Sequence, residues 1–308
     1  MPADLTLDII YRGFVVNDED IALNIVQGSG IGDGIAGSVV DSFDDSDVDV
    51  VQFAEKRSQQ DGMDAGVPLL GMRRIRMSAT LYGRTRALLY DSLMDLRAAF
   101  SPVLAYREEP LDYGYQPLYF SIPTNRIADY PAGAIPLMVK AMPRALSTPI
   151  SRDMTGGDDN DSLAISWQAT LICKDPSIMG ATPQDYDIDR GPGASTGNTV
   201  NRGHYICPVN MLIVVGTPAG SIACTIGDSV FTITVPASTG NRTIRFKGED
   251  KVLTVEEDSV EVTRMDLLAF SGDTTWPFIS TGTTAYSVTY TSVTAASGSH
   301  MWFYERYA

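Results

Sequence analysis

The stretch that decides the fold is Met72–Pro102, MRRIRMSATLYGRTRALLYDSLMDLRAAFSP. Its first part alternates. Arg73, Ile75, Met77, Ala79 and Leu81 take one face, and Arg74, Arg76, Ser78, Thr80 and Tyr82 take the other. Period two with apolar residues on one side predicts a half-buried strand. Gly83 allows a turn, and from Thr85 the period changes. Leu89, Leu93, Leu96 and Phe100 recur at helical spacing and stack into one stripe, with Asp91, Asp95 and Arg97 off it. Ser101-Pro102 is expected to stop this helix, because the residue before a proline avoids helical angles. The expectation is a single long helix, Leu88–Phe100, laying its stripe on one side of a β-barrel.

Strands flank it on both sides. Leu5, Leu7, Ile9 and Tyr11 alternate, Ile21–Val26 is a short apolar run, and Val103–Tyr106 and Leu118–Ile122 are further candidates. Ile135–Met142 is another, expected to break at Pro143. Leu163–Lys174 gives the clearest signal: Leu163, Ile165, Trp167, Ala169, Leu171 and Cys173 share a face, and Asp175-Pro176 stops it. Residues 177–200 lose the alternation and fill with Gly, Pro, Ser, Thr and Asp, which reads as a linker or long loop. Beyond it, short strands recur about every ten residues: Met211–Val215, Ser229–Val235, Arg242–Phe246, Val252–Val255, Val260–Arg264, Tyr286–Thr291 and Met301–Tyr304. That spacing predicts an all-β sandwich. The expected domains are therefore 1–176, a linker at 177–200, and 201–308, in a mainly β chain.

At 308 residues the chain has room for two cores. No stretch approaches the roughly 20 apolar residues that span a bilayer, so no membrane insertion is expected, and no secretory signal is visible. Net charge is −15. Residues 1–176 hold 25 Asp and Glu against 15 Lys and Arg, and 201–308 hold 10 against 7. Tight binding of nucleic acid needs clustered cations, so it is disfavoured. An acidic surface suits solubility, or a conduit along which DNA must not stick. Asp41, Asp44, Asp45, Asp47 and Asp49 form a ribbon interleaved with Phe43, Val48 and Val50. It lacks the Gly and Glu of a calcium loop and reads as a solvated face or a pore-lining strand pair. Gly28–Gly37 resembles a phosphate loop only superficially, since no helix start follows it.

Catalytic machinery is not evident. His204 and His300, the two histidines, fall on separate expected loops. Cys173, Cys207 and Cys224 lack metal-ligand spacing and read as core residues in a reduced compartment. No G-x-S-x-G, H-E-x-x-H or P-loop occurs. Neither a catalytic residue, a metal site nor a cofactor is expected.

Four stretches carry a resemblance. They are QQDGMDAGVPLLGMRRIRMSATLYG, the helix Leu88–Phe100, ISWQATLICKDP, and VNRGHYICPVNMLIVVG with the later WPFISTG and MWFYERYA. In this order they resemble the distal tail proteins of phages with long, non-contractile tails. The resemblance implies a first domain related to tail-tube proteins, assembled as a six-fold ring around a DNA channel. It also implies a galectin-like β-sandwich facing outward. The implied partners are copies of itself, the tail-tube protein, the hub or tape-measure protein, and receptor-binding or fibre proteins, with double-stranded DNA in transit. The implied place is the virion tail tip, after synthesis in the host cytoplasm. Asp44, Asp45, Asp47 and Asp49 are then the candidates to line the lumen. A competing reading is a host-attachment protein gripping a glycan through Trp276 or Trp302, although the alternation around Trp302 favours a core position. A cell-wall enzyme is a third, without a residue to support it.

Overall fold

The computed structural model describes residues 9–17, 36–51, 54–56, 63–65, 69–110, 113–148, 163–173, 175–188, 193–216, 218–238, 240–257, 260–271, 276–293, 295 and 298–307. The expected segments at residues 5–8, 21–26 and 28–35 lie outside the described residues. The chain divides into two compact units, Met1–Ile178 and Met179–Ala308. Both are mainly β, built from antiparallel sheets, with no closed barrel among the described residues.

In the first unit the strands are β1 (Ile9–Tyr11), β2 (Phe14–Asn17), β3 (Ala36–Val51), β4 (Ala54–Lys56), β5 (Met63–Ala65), β6 (Leu69–Gly83), β7 (Gln116–Pro123), β8 (Ala134–Ser147) and β9 (Leu163–Cys173). The main sheet runs β2-β1-β7-β8-β9-β6-β3, and β4 pairs with β5 apart from it. β6 follows the expected alternation residue by residue: Arg73, Ile75, Met77, Ala79 and Leu81 are buried, and Arg74, Arg76, Ser78, Thr80 and Tyr82 are not. β9 lies beside it in register, Leu81 opposite Ile165 and Ala79 opposite Trp167. The end strands of the sheet approach each other through a side chain. The Val40 N–H donates to the Oδ1 of buried Asn17 over 3.1 Å, so the sheet curls without closing.

Helix α1 (Arg86–Ala99) covers the apolar face of this sheet. Thr85 caps it, accepting from the Leu88 N–H. Gly83 is required at the turn, because a Cβ there would lie 2.8 Å from the Cβ of Leu89. Leu89, Leu93, Leu96, Ala99 and the C-capping Phe100 are buried, and the Phe100 ring sits 5.2 Å from Tyr11 and 5.4 Å from Trp167. Trp167 donates to Ser38 and Tyr11 to the Ala141 carbonyl, so both buried polar tips are satisfied.

Two segments differ from what the sequence predicts. Val103–Tyr106 is not a strand but part of a second helix, α2 (Pro102–Glu108). Ser101 accepts from the Leu104 N–H and Pro102 takes the first helical position, so the pair that stops one helix also starts the next. Pro143 does not break β8. It sits at a register shift between Pro143 and Ala145, where its missing N–H is tolerated.

Arg12 had no signal in the sequence. It lies with Gly13 at a tight β1–β2 turn, at positive φ of 48° and 75°. Its guanidinium donates to the carbonyls of Ala98 (2.8 Å) and Ala99 (2.7 Å) at the end of α1, and to Glu108 on α2 (3.0 Å). One side chain thus binds two of the last carbonyls of one helix and ties down the next. Arg12→Ala is expected to destabilise the first unit by about 2–4 kcal/mol, read as a lowered melting temperature. Hydrogen bonds from Arg12 and then Gln116 hold the Glu108 carboxyl below its usual pKa of 4.5. The part due to ionised Glu108 should therefore be present above about pH 4.5 and fade as pH falls through the lowered value in the folded state. Unchanged melting of Arg12→Ala across this range would show that the clamp adds nothing.

The second unit opens at β10 (Ile178–Gly180), which straddles the division, and continues with β11 (Gln184–Asp187), β12 (Gly193–Asn201), β13 (Cys207–Pro208), β14 (Asn210–Val215), β15 (Gly220–Ile226), β16 (Ser229–Val235), β17 (Arg242–Lys247), β18 (Val252–Glu257), β19 (Val260–Thr263), β20 (Leu268–Phe270), β21 (Phe278–Ile279), β22 (Gly282–Thr291), β23 (His300–Phe303) and β24 (Arg306–Tyr307). One sheet runs β11-β23-β14-β17-β18-β19 and the other β12-β22-β15-β16-β20. Their inner faces meet in one apolar core, in which Phe231 of one sheet stacks on Phe246 of the other at 4.9 Å. This is a sandwich.

Residues 177–200 are therefore not a loop. They supply β10, β11 and β12, the last paired with β22 along its whole length. β12 escapes a hydropathy reading because its inward residues are polar. Ser195, Thr199 and Asn201 are buried, and the Thr199 hydroxyl donates to the Thr284 carbonyl over 3.2 Å. Between them, Gly197 leaves room for the Tyr286 ring, which a Cβ would meet at 2.8 Å.

Candidate functional site

The acidic ribbon lies on β3, at one end of the first unit's sheet and paired with β6. Register shifts in β3 break its alternation between Val40 and Ser42 and between Asp44 and Asp47. The result is a charged face rather than a purely acidic one. Asp47 takes the Arg76 guanidinium at 2.9 Å and lies 3.9 Å from that of Arg74. Asp41 accepts from Thr80 at 3.0 Å. Asp44 stands opposite Arg76 and accepts from the backbone and hydroxyl of Ser46, bonds that hold its carboxyl below the usual range.

Asp45 turns the other way. Its backbone carbonyl accepts from buried Arg73, whose Nε donates to the Pro176 carbonyl beyond the strand-ending Asp175. The side chain of Asp49 lies outside the described residues. The candidate aspartates thus do not share one face. Asp41, Asp44 and Asp47 do, together with Arg74 and Arg76, which leaves a modest excess of one negative charge there.

Along this face runs a polar groove. A cavity of about 340 Å3, lined by Asp41, Ser78, Ser147, Ser166 and Gln168, adjoins one of about 320 Å3 lined by Ser42, Asp44, Arg76, Gln168 and Thr170. Hydroxyls and amides dominate it, and the Ser42 and Ser78 hydroxyls are bonded to each other at 2.6 Å. Such a lining offers hydrogen-bonding groups, with the Arg76 guanidinium already taken up by Asp47.

The two candidate tryptophans occupy different environments. Trp276 packs 4.8 Å from Phe246 and 5.4 Å from Phe270, against the core of the sandwich. Trp302 corrects the core reading. In β23 it is Met301 and Phe303 that are fully buried, so Trp302 stands half-buried on the outer face with its ring 4.8 Å from His300. His300 in turn reaches Asp185 on β11 at 3.1 Å.

The cysteines are free and buried. Desolvation pushes the Cys173 thiol up to about 12 and that of Cys207 to about 11, and raises Cys224 as well. They are packing groups rather than nucleophiles. Among the described residues no group of three or more His, Cys, Asp or Glu side chains is placed to hold a metal ion. No helix there is long and apolar enough to cross a membrane.

The Asn201-Arg202-Gly203 corner is fixed by its own side chain. Asn201 Oδ1 accepts from the Gly203 N–H at 2.9 Å, and Nδ2 donates to the Tyr205 carbonyl at 2.8 Å. A Cβ on Gly203 would fall 2.4 Å from the Arg306 carbonyl oxygen. This Asn-x-Gly therefore seats the end of β12 against the last strand, β24.

No protein-family model matches the chain, and no curated protein sequence matches it. Solved structures do. A chain of the phage p2 baseplate in its activated conformation with Sr is similar at a TM-score of 0.44 and 9% identity, over 87% of this chain and 90% of that one. The SPP1 Dit protein, described as a paradigm of the hub adsorption apparatus in phages infecting Gram-positive hosts, is similar at a TM-score of 0.55 and 12% identity. That likeness covers 98% of this chain and 99% of SPP1 Dit, so the two share one fold from end to end.

Proposed function

We propose that the chain is a structural adaptor of a phage tail tip. The first unit forms a six-fold ring around the DNA channel, joined to the tail tube. The second unit faces outward, towards the hub and receptor-binding proteins. The observation that carries this reading is the fold shared with SPP1 Dit along both whole chains. The motif order of the sequence accords with it. The test is the mass and image of the purified protein. Six copies of a 33.3 kDa chain give about 200 kDa and a ring in projection. A trimer, or a monomer at every concentration, contradicts the adaptor.

Within this reading the groove face of β3 and β6 lines the channel, with Asp44 and Asp47 towards the DNA. Their role is to oppose Arg74 and Arg76 rather than to build a strongly negative wall. Asp44→Asn with Asp47→Asn removes the two carboxylates that stand against Arg76 and Arg74 across the register, so this face attracts passing phosphates more strongly. Particles carrying both changes are expected to assemble normally and to eject DNA more slowly at low salt, recovering at high salt. Ejection unchanged at both salt concentrations removes the ribbon from the channel.

A further inference from the structure

The outer face of the six-stranded sheet in the second unit carries two neighbouring aromatic rings bordered by polar side chains. Strand register sets Asp185, Trp302 and Asn210 side by side in one row, from β11, β23 and β14. It sets Asp187, His300 and Leu212 in the next. Directly opposed residues on paired strands project from the same face. Trp302 and His300 thus form a two-ring platform, with both carboxylates at its edge and the Asn210 amide at its floor.

Asn210 is only 8% exposed, and its Oδ1 accepts from the Gly248 N–H over 3.1 Å. Its Nδ2 has no partner among the described residues. That NH2 group is not sealed from solvent and lies beside a half-buried indole, so its donors are open to a ligand. Asp185 is half exposed, and both its carboxylate oxygens lie within 3.2 Å of the His300 Nδ1, leaving their remaining lone pairs towards solvent. Lys247, directly opposite Asn210, and Arg245, opposite Leu212, complete the two rows and are taken up by Glu261 and Glu256.

The geometry points to a saccharide-binding site on this face, centred on Trp302. The mixture of groups selects the ligand class. An anion would be repelled by Asp185 and Asp187. A cation would suit the carboxylates and the indole but would meet the amide N–H2 and the imidazole. A pyranose ring fits all of them. Its C–H face stacks on the indole, its hydroxyls donate to the carboxylates, and its oxygens accept from Asn210 and His300. This site is read from the second unit alone and stands or falls apart from the tail-tip role.

The test is to screen the full-length chain on an array of pyranose oligosaccharides and to titrate the best of them by calorimetry. Trp302→Ala is expected to weaken that binding by about tenfold or more, as for loss of a central aromatic anchor, with Trp302→Phe in between. Asp185→Asn, at an exposed position, should weaken it without changing the melting temperature. Asn210→Asp keeps the acceptor for Gly248 and removes the donor, so it should lose binding as well. No binding to any pyranose at millimolar concentration overturns the site. So does binding that survives Trp302→Ala, or a polylysine peptide that binds the same face in place of the sugars.

Discussion

Leu93→Asp should unfold the first unit. Leu93 is 1% exposed, in the middle of the α1 stripe between Leu89 and Leu96 and against the β6–β9 sheet. Losing a buried leucine alone costs about 2–5 kcal/mol. A carboxylate in its place has no cation on the buried face of α1, whose buried residues are Leu89, Leu93, Leu96 and Ala99. An unpaired charge there adds several kcal/mol more, so the sum rivals the roughly 5–15 kcal/mol that holds a domain together. The expected result is insoluble protein, or a chain whose first unit gives no cooperative melt. The control is one residue away. Met94 is 61% exposed, and Met94→Asp should change stability by only about 0.5 kcal/mol. If the two variants melt alike, α1 is not part of the core.

Much of this architecture was legible because one face of an element was apolar and the other was not. β6 and β9 announce themselves by alternation, and α1 by its stripe. The reading failed where burial and hydropathy part. β12 buries Ser195, Thr199 and Asn201, and only their hydrogen bonds explain why they are inside. In β23, His-Met-Trp-Phe gives no parity. Burial of Met301 and Phe303 decides that Trp302 faces out. α2 was missed because Ser-Pro marks a helix start as well as a stop. β15 carried a readable signal in Ile222, Cys224 and Ile226, all buried, that the spacing of turns obscured.

The candidate sites were less legible, since they are made between strands. The Asp count of β3 is plain in the sequence, but Arg74 and Arg76 oppose it only through the β3–β6 register. Likewise nothing along the chain links Asp185, Asn210 and Trp302. Pairing of β11 and β14 with β23 does.

The unit division makes a second large effect expected, because 177–200 belongs to the sandwich. A fragment Met179–Ala308 should fold and melt cooperatively by itself, whereas a fragment starting at Asn201 should not. The shorter fragment loses β11 and nearly all of β12, which border different sheets. Without β12 the strand β22 loses its partner from Gly193–Tyr290 onward and becomes a bare edge. Ile188, fully buried, goes with it, and its carbonyl is the acceptor for the buried Tyr290 hydroxyl at 2.8 Å. Tyr186, stacked on Phe303 at 6.1 Å, is lost too. Burial of the apolar side chains contributes about 1.5–3 kcal/mol each. Each ladder bond adds about 0.5–1.5 kcal/mol net, and the stranded tyrosine hydroxyl costs about 1–3 kcal/mol more. Together these reach the size of a whole domain's stability. The check is to express both fragments and compare their near-ultraviolet circular dichroism and thermal melts. A cooperative transition in the fragment from Asn201, at a temperature equal to that of the longer one, would make β11 and β12 dispensable and return 177–200 to a linker.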